Sequence, residues 1–361
     1  MRKLYFAAMA LLLVTLSCYP ALAQTITMPR TPSPAASVSQ TIGISVVTVS
    51  YSRPSVKGRE IWGKLVPYGW NVQNFGNGNS APWRAGANEN TTIKFSHDAK
   101  VEGMAVPAGE YGLFFVINPD NTGELILSKD SRSWGSFFYE SNHDLLRAKI
   151  QLRDIQFTEM LTYDFINNTK TSSELVLNWE KKQFPVKIEF DVDGIVLSNA
   201  IQELKGPIGF NWQGYSSAAN YAYQNKTNYE QALKWIDQAI TINKSFTTLT
   251  VKSNILKAMG KTEEADKLKS EAIAVANENE LNLYGYQLLN AGQHDMAIEI
   301  FTLNTKRFPK SANCFDSLGE AFATKGDKKN AILNFKKSLS MDPPPNVKAN
   351  SEKFLKELGA L

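Results

Sequence analysis

Cysteine and histidine are scarce in this chain of 361 residues, which contains two cysteines and three histidines. His97, His143 and His294 lie far apart, and none has a second histidine four residues away, as paired metal ligands on a helix would. The sequence also lacks a Gly-x-Ser-x-Gly elbow and a glycine-rich phosphate-binding loop. It therefore predicts no metal and no cofactor, and it favours a binding protein over an enzyme.

Long basic runs and long apolar runs are missing as well. The net charge is only +4 and is spread along the chain, which argues against a nucleic-acid partner. The apolar run 4–16 is too short to span a bilayer as a helix. It follows Arg2 and Lys3 and precedes Ala21-Leu22-Ala23, so residues 1–23 are predicted to be a signal peptide cleaved after Ala23. We expect a periplasmic or cell-envelope protein with no transmembrane segment in the mature chain.

The two cysteines have different interpretations. Cys18 offers an alternative as a lipid attachment site, but Thr15 stands where such sites prefer leucine, so lipidation is less favoured than cleavage. Cleavage after Ala23 would leave Cys314 alone, and the mature chain would then form no internal disulfide. We interpret Cys314 as a small buried residue of a helix.

The first half of the chain has the period of β-strands. Residues 24–34 are rich in proline and predict an extended lead-in, after which Val47, Val49 and Tyr51 alternate with polar residues. Further strand candidates are Thr91–Ser96, Tyr111–Asn118, Gly123–Ser128, Leu145–Leu152, Glu159–Ile166, Glu174–Trp179 and Val186–Asp191. Turn residues separate these short runs and leave no room for crossover helices. The pattern predicts an antiparallel β-sandwich, jelly-roll-like, over residues 35–198.

Several loops of this half carry motifs of aromatic, charged and glycine residues. They are Tyr51-Ser52-Arg53-Pro54, Lys57-Gly58-Arg59, Trp83-Arg84-x-Gly86-Ala87-Asn88-Glu89 and Pro107-Ala108-Gly109-x-Tyr111. In this order they resemble the signature of an uncharacterised family of secreted bacterial domains, domain-of-unknown-function family 2911. The resemblance covers about residues 32–191 and implies an exported, strand-rich domain with no assigned chemistry.

These loops are the candidate ligand site of the strand-rich half. Trp83 and Trp134 offer flat apolar faces, and four polar side chains offer directed hydrogen bonds, which would suit a glycan or a small anionic ligand. The polar candidates are Arg53, Arg84, Asn88 and Glu89. A second interpretation is structural: Arg84 pairs with Glu89, Asn88 caps a turn, and the tryptophans fill the core.

An alternative function is a secreted hydrolase or carbohydrate-active enzyme with its site at the Trp83–Glu89 loop. Glycoside chemistry would need two carboxyl groups about 5–10 Å apart. The acidic residues that we consider for this role are Glu89, Glu140 and Asp144. Their positions in space discriminate between the two functions.

The second half repeats one pattern at an offset of 34 residues. Gly285, Ala297, Phe301 and Pro309 are followed 34 residues later by Gly319, Ala331, Phe335 and Pro343. Such a period marks stacked units that cannot bury their apolar faces alone. Both units resemble tetratricopeptide repeats. We predict an α-helical tetratricopeptide solenoid of about four repeats over residues 212–345, after a linker at 199–211 and before a capping helix at 346–361.

The two earlier units match less well. Ala232 and Ala265 take the place of the repeated alanine, but Lys269 stands where Phe301 and Phe335 stand later. We therefore expect the packing of the unit around Lys269 to depart from the standard one.

The resemblance to tetratricopeptide repeats implies a groove lined by the first helix of each repeat. Carried over by position, the groove residues are Asn282, Tyr286, Asn290, Asn313, Asp316 and Glu320. These are mostly amide and acidic groups, and the Lys and Arg that clamp a terminal carboxylate in some members are missing there. We expect a protein or peptide partner; the alternative is a spacer without a partner.

Overall fold

The computed structural model describes residues 32–361. The predicted signal peptide, Cys18 and most of the predicted lead-in lie outside the described residues. The chain divides into two compact units, one ending at Val192 and the other beginning at Asp193. The first is the strand-rich unit and the second is the helical unit.

The strand-rich unit contains a six-stranded antiparallel sheet. In the order of the sheet, its strands are β1 (Ala35–Ile42), β2 (Ser45–Ser52), β5 (Thr92–Phe95), β8 (Gly109–Ile117), β9 (Thr122–Ser128) and β10 (Asp144–Gln151). In β2 the buried residues Val47, Val49 and Tyr51 alternate with more exposed ones, as the period of two predicts. β8 is buried from Tyr111 to Ile117 on both faces, so it is the centre of the unit.

A second antiparallel sheet has four strands. They are ordered β11 (Arg153–Ile166), β12 (Ser172–Glu189), β6 (Ala99–Val101) and β7 (Met104–Val106), and a small separate sheet pairs β3 (Asn71–Val72) with β4 (Ser80–Ala81). Side chains of the two larger sheets meet. The ring centroids of Tyr51 on β2 and Tyr163 on β11 lie 4.7 Å apart, and those of Phe115 on β8 and Phe184 on β12 lie 5.0 Å apart. The apolar core lies where these side chains pack.

The strands differ from the sequence prediction in several places, and the short strands β3, β4, β6 and β7 were not predicted. The candidates Glu174–Trp179 and Val186–Asp191 belong largely to one long strand, β12. Between them Glu180 has a φ of 54° and the pairing with β11 shifts register, so the polar segment forms an irregularity in the strand and not a reversal. Strand β1 was missed because it is an edge strand that pairs only with β2 and carries mostly small and polar side chains.

The helical unit contains ten α-helices. They are α1 (Val192–Glu203), α2 (Trp212–Gln224), α3 (Tyr229–Ile242), α4 (Phe246–Ala258), α5 (Thr262–Val275), α6 (Glu278–Asn290), α7 (His294–Arg307), α8 (Ala312–Lys325), α9 (Lys328–Leu339) and α10 (Pro345–Glu357), with α1 starting one residue before the division. Helices α2 to α9 form four successive pairs, and α10 packs on α8 and α9. An antiparallel β-rich domain followed by helical repeats is therefore confirmed.

The repeated glycine and phenylalanine form the contact inside each of the last two pairs. A Cβ added to Gly319 would lie 2.9 Å from the ring of Phe335, and one added to Gly285 would lie 2.6 Å from the ring of Phe301. Both phenylalanines are fully buried. The glycines are needed because the aromatic ring of the second helix occupies the space of their missing side chains.

The pair α4 and α5 uses different chemistry at these positions. Ser253 takes the place of the glycine, and its hydroxyl donates a hydrogen bond of 2.7 Å to the Ala265 carbonyl oxygen. Lys269 takes the place of the phenylalanine, and its Nζ lies 3.9 Å from the ring centroid of Tyr284 on α6. Burial lowers the pKa of the Lys269 ammonium group. A cation–π contact with the next repeat thus replaces an aromatic ring packed inside the pair.

Candidate functional site

The strand-rich unit contains an open cleft of about 620 Å³, within the size range of small-molecule sites. Its walls are formed by Pro32, Ser33, Pro54, Ser55, Lys57, Arg59, Leu65, Val66, Trp83, Arg84, Gly86, Ala87, Asn88, Trp134, Phe137 and Trp179. We call it the aromatic cleft. It brings together the segment before β1, three loops and one side chain of β12.

The aromatic side of the cleft is held by the central strand. The Trp83 backbone N–H donates to the Phe115 carbonyl oxygen at 2.8 Å, and the Phe115 N–H donates back at 2.9 Å. The Trp83 ring stacks on Trp179 with centroids 5.8 Å apart and an interplanar angle of 14°. Trp62 meets both rings edge-on. The position of Trp83 is thus fixed by backbone pairing and by ring packing.

Arg84 is packed between two loops. Its Nη1 donates a hydrogen bond of 2.8 Å to the Asn88 carbonyl oxygen, and its guanidinium carbon lies 5.1 Å from the ring centroid of Phe137. Gly135 has a φ of +62°, and a Cβ there would lie 2.5 Å from Arg84 Nη1, so this loop requires glycine. Burial lowers the pKa of the Arg84 guanidinium.

Two further cations line the cleft from the loop after β2. The backbone N–H of Lys57 donates to Glu159 Oε1 at 2.9 Å, which fixes the backbone of this lining residue. Arg59 donates from Nε to the Val56 carbonyl oxygen at 3.0 Å and from Nη2 to the Ser55 carbonyl oxygen. The described lining residues include three cations and no Asp or Glu. The cleft is therefore suited to negative charge.

The structure brings together four of the six side chains predicted for this site. Trp83, Arg84, Asn88 and Trp134 line the cleft. Arg53 points to β11, where its Nε donates to the Leu161 carbonyl oxygen at 3.0 Å and its Nη2 to Thr162 Oγ1 at 2.6 Å. Glu89 is half-buried and is not among the lining residues.

Several lining residues were not among those predicted from the sequence. Lys57 and Arg59 stand in a motif that was noted for the resemblance but was not assigned to the site. Phe137 lies three residues after Trp134 in the same loop. It is also aromatic, so the pattern that indicated Trp134 could have indicated Phe137 as well. Trp179 lies on β12, far away in sequence, and no local pattern could have placed it in the cleft.

The other acids considered for glycoside chemistry lie outside the cleft lining. Asp144 Oδ2 accepts hydrogen bonds from Tyr139 Oη at 2.6 Å and from Arg147 Nε at 2.7 Å. Glu140 Oε2 lies 3.8 Å from His143 Nε2. The described side chains thus provide no carboxylate pair in the cleft wall.

In the helical unit, Tyr286 and Glu320 connect the first helices of two repeats. The Tyr286 hydroxyl on α6 lies 3.0 Å from Glu320 Oε2 and 3.2 Å from Ser317 Oγ, both on α8. Its ring meets Phe301 edge-on at 5.1 Å. Burial raises the pKa of the Tyr286 phenol, so the hydroxyl stays protonated and serves as a donor. These two predicted groove residues are therefore in contact.

Asp316 is placed differently from the other predicted groove residues. It is only 4% exposed and lies under α10. Its carboxylate accepts hydrogen bonds from the Ser351 hydroxyl and, at 2.8 Å, from Asn350 Nδ2. Burial raises the pKa of the Asp316 carboxyl group. The side chain thus helps to attach the last helix.

The three asparagines of the predicted groove differ in exposure. Asn290 is the exposed last residue of α6, whereas Asn282 and Asn313 are half-buried in α6 and α8. Cys314, next to Asn313, is fully buried, and burial raises the pKa of its thiol to about 11. This confirms its interpretation as a buried helix residue.

Two features are absent from residues 32–361. No group of three or more His, Cys, Asp or Glu side chains in this part of the chain could hold a metal ion. None of its helices combines the length and the hydrophobicity needed to cross a bilayer.

Comparison with known proteins gives curated relatives for a short part of the chain. Proteins of the curated set that match are Superkiller complex protein 3 of Mus musculus and of Homo sapiens, each 36% identical over 59 residues, or 16% of this chain. The match spans only 4% of those relatives.

Similar solved structures include YrrB, a tetratricopeptide protein described as having an unusual peptide-binding site. It has 18% identity and a TM-score of 0.28, and the match covers 45% of this chain and 84% of YrrB. MamA has 19% identity and a TM-score of 0.27, with 40% of this chain and 86% of MamA covered. Pseudomonas aeruginosa PilF has 21% identity and a TM-score of 0.27, with 40% and 68% covered.

Family models match both halves. Residues 33–188 match the model described as protein of unknown function (DUF2911). Residues 215–246 and 312–345 match the model of the tetratricopeptide repeat. Both predicted resemblances are confirmed: the strand-rich unit is similar to the DUF2911 family, and two stretches of the helical unit are similar to tetratricopeptide repeats.

Proposed function

We propose that this protein is an exported cell-envelope scaffold that holds a protein or peptide partner in the groove of its tetratricopeptide repeats. The repeats themselves support the broader role of a scaffold for protein–protein interaction. Stacked helix pairs bury their faces against their neighbours and present an extended surface of repeated positions to a partner. The strand-rich unit would add a second surface, for a glycan or a small ligand.

The observation that carries this proposal is the contact between Tyr286 and Glu320. It shows that the first helices of two repeats, α6 and α8, lie side by side with polar side chains between them. Leu283 and Asn290 lie three residues before and four residues after Tyr286, so they share its helix face. Leu283 is 65% exposed, so it adds an apolar side chain to this face.

The chemistry of this face indicates the kind of segment that would bind. The exposed amide of Asn290 can pair with a peptide backbone, the carboxylate of Glu320 with a basic group or an N–H donor, and Leu283 offers an apolar contact. A partner segment with basic and apolar residues fits these three groups better than an acidic one.

Changes in this face are expected to weaken partner binding. Tyr286→Ala removes the ring and its hydroxyl, and Glu320→Lys reverses the charge. Affinity capture from an envelope fraction of the producing cell, with quantitative mass spectrometry, should show at least a tenfold loss of one specific partner for each variant. The matched control is Glu299→Lys, the same charge change at an exposed position of α7. Identical partner lists for all four proteins would support the spacer instead.

Export is the second part of the proposal and rests on residues 1–23. The protein purified from the envelope fraction is expected to begin at Gln24, and replacing both Ala21 and Ala23 by leucine should leave an uncleaved precursor. N-terminal sequencing and intact mass measure both results. Cys18→Ser is the control and should change nothing. A mature chain that begins with a lipid-modified Cys18 would instead make the protein a lipoprotein.

A further inference from the structure

We propose that the aromatic cleft of the strand-rich unit binds an acidic sugar, a pyranose ring that carries a carboxylate. The cleft belongs to the strand-rich unit and the repeat groove to the helical unit, so this proposal does not depend on the scaffold function. Four properties of the cleft lead to this ligand class: its charge, the fixed position of Arg84, its aromatic walls and its lack of lining carboxylates.

The charge of the cleft is unbalanced. Lys57, Arg59 and Arg84 line it, and none of them forms an ion pair with a carboxylate within residues 32–361. Lys57 and Arg59 are exposed, whereas Arg84 is half-buried, and taking a cation out of water without a counter-charge is costly. The lowered pKa of Arg84 reports this desolvation. An anion bound in the cleft would supply the missing charge.

Arg84 is already oriented for such an anion. The hydrogen bond to Asn88 uses one of the five N–H groups of the guanidinium, and the Phe137 ring and Gly135 fix the group from the other side. A guanidinium held in this way can donate two parallel hydrogen bonds to a carboxylate without losing further side-chain freedom. An ordered arginine therefore favours a planar, bidentate anion over a point charge.

The rings of the cleft favour a ligand with a flat apolar face. Trp134 is 51% exposed at the cleft, and Trp83 stacks on Trp179 deeper inside. The electron-rich face of an indole attracts the C–H groups on one face of a pyranose, and the hydroxyls of the sugar remain free for Asn88. An inorganic anion would leave these rings in contact with water, and a neutral sugar would leave the half-buried Arg84 without a counter-charge.

The cleft has the features of a binding site and not of a glycosidase. Cleavage of a glycosidic bond by the common mechanisms needs two carboxyl groups beside the bond, and the described lining residues supply none. The same lack of lining carboxylates avoids repulsion of an acidic sugar. We therefore infer recognition of uronic-acid units without turnover.

Binding is measured with the full chain by titration calorimetry and tryptophan fluorescence at low salt. The probes are digalacturonic acid, the neutral disaccharide galactobiose and sodium sulfate. Digalacturonic acid is expected to bind at least tenfold more tightly than either of the others, and more weakly as salt screens the charges. Equal binding of galactobiose or of sulfate, or no binding of digalacturonic acid, would overturn the proposal.

Substitutions locate the site. Arg84→Met should weaken digalacturonic acid binding at least tenfold, and Trp134→Ala should do so with little effect on stability because Trp134 is half-exposed. Lys94→Met, which removes an exposed cation of β5 outside the cleft, is the matched control and should bind like the wild type. Unchanged binding by Trp134→Ala and by a folded Arg84→Met protein would contradict this location. If Arg84→Met does not fold, Trp134→Ala and Lys57→Met decide the question alone.

Discussion

Replacing Phe335 by alanine is expected to lower the free energy of unfolding of the helical unit by about 3–5 kcal/mol. The ring is fully buried, packs onto Gly319 inside the last repeat, and stacks on Phe354 of α10 with centroids 5.0 Å apart and planes at 10°. The substitution therefore leaves a cavity at the point where α8, α9 and α10 meet. Urea unfolding followed by circular dichroism at 222 nm measures the effect, because this signal comes mainly from the helices.

The control for Phe335→Ala is the same chemical change at a site that buries little. Phe210 in the helical unit is 81% exposed, so Phe210→Ala should change the free energy of unfolding by less than about 0.5 kcal/mol. A loss below about 1 kcal/mol for Phe335→Ala would mean that the ring is not an essential contact of this repeat.

The repeats could be predicted from sequence because their key contacts lie at fixed spacing. Gly319 and Phe335 are 16 residues apart in one helix pair, and the same spacing recurs at Gly285 and Phe301. Two antiparallel helices with a short connection must bring these positions together, so the pattern indicates the contact as well as the helices. Lys269 breaks the pattern, and its new partner on the next repeat could not be read from its own unit.

The strands were predicted where a long alternation is present and were missed where they are short, as in β6, or weakly buried, as in β1. β2 alternates clearly, whereas the edge strand β1 carries small and polar side chains that resemble those of a loop. In β12, a polar segment around Glu180 resembled a turn although the chain continues. The pairing of β12 with β11 on one side keeps the segment in the sheet, and this pairing is not local information.

The candidate cleft shows the same limit at the level of side chains. Trp83, Arg84 and Asn88 belong to one tight loop, so their proximity follows from the sequence. Arg53 lies in an equally conspicuous motif, but its side chain points to β11 and not to the cleft. Trp179 comes from a distant strand. Motifs predict which loops form the cleft. The direction in which a side chain points depends on the neighbouring elements of the fold.

Replacing Asp316 by alanine is expected to destabilise the helical unit by about 1–3 kcal/mol. The substitution removes the acceptor for two donors on α10, the Ser351 hydroxyl and the Asn350 amide. Ser351 is fully buried. An unpaired buried donor loses its hydrogen bond to water without replacement. Urea unfolding at pH 7, followed at 222 nm, measures the loss, and protease cleavage between α9 and α10 should become faster.

Asp316→Asn separates the hydrogen bonds from the charge. The amide keeps an acceptor for Ser351, so this variant should lose less stability at pH 7 than Asp316→Ala. Burial raises the pKa of the Asp316 carboxyl above its unfolded value, so the folded state binds the proton more tightly. The stability gained by protonation is fully present below the unfolded pKa and is lost as the pH rises through the folded pKa. The wild type should therefore gain stability relative to Asp316→Asn when the pH falls from 7 to about 4, near the usual pKa of Asp. The titrations of all other groups are common to both proteins. If the free energy of unfolding changes equally with pH in both, the buried carboxyl does not titrate differently in the folded and unfolded states.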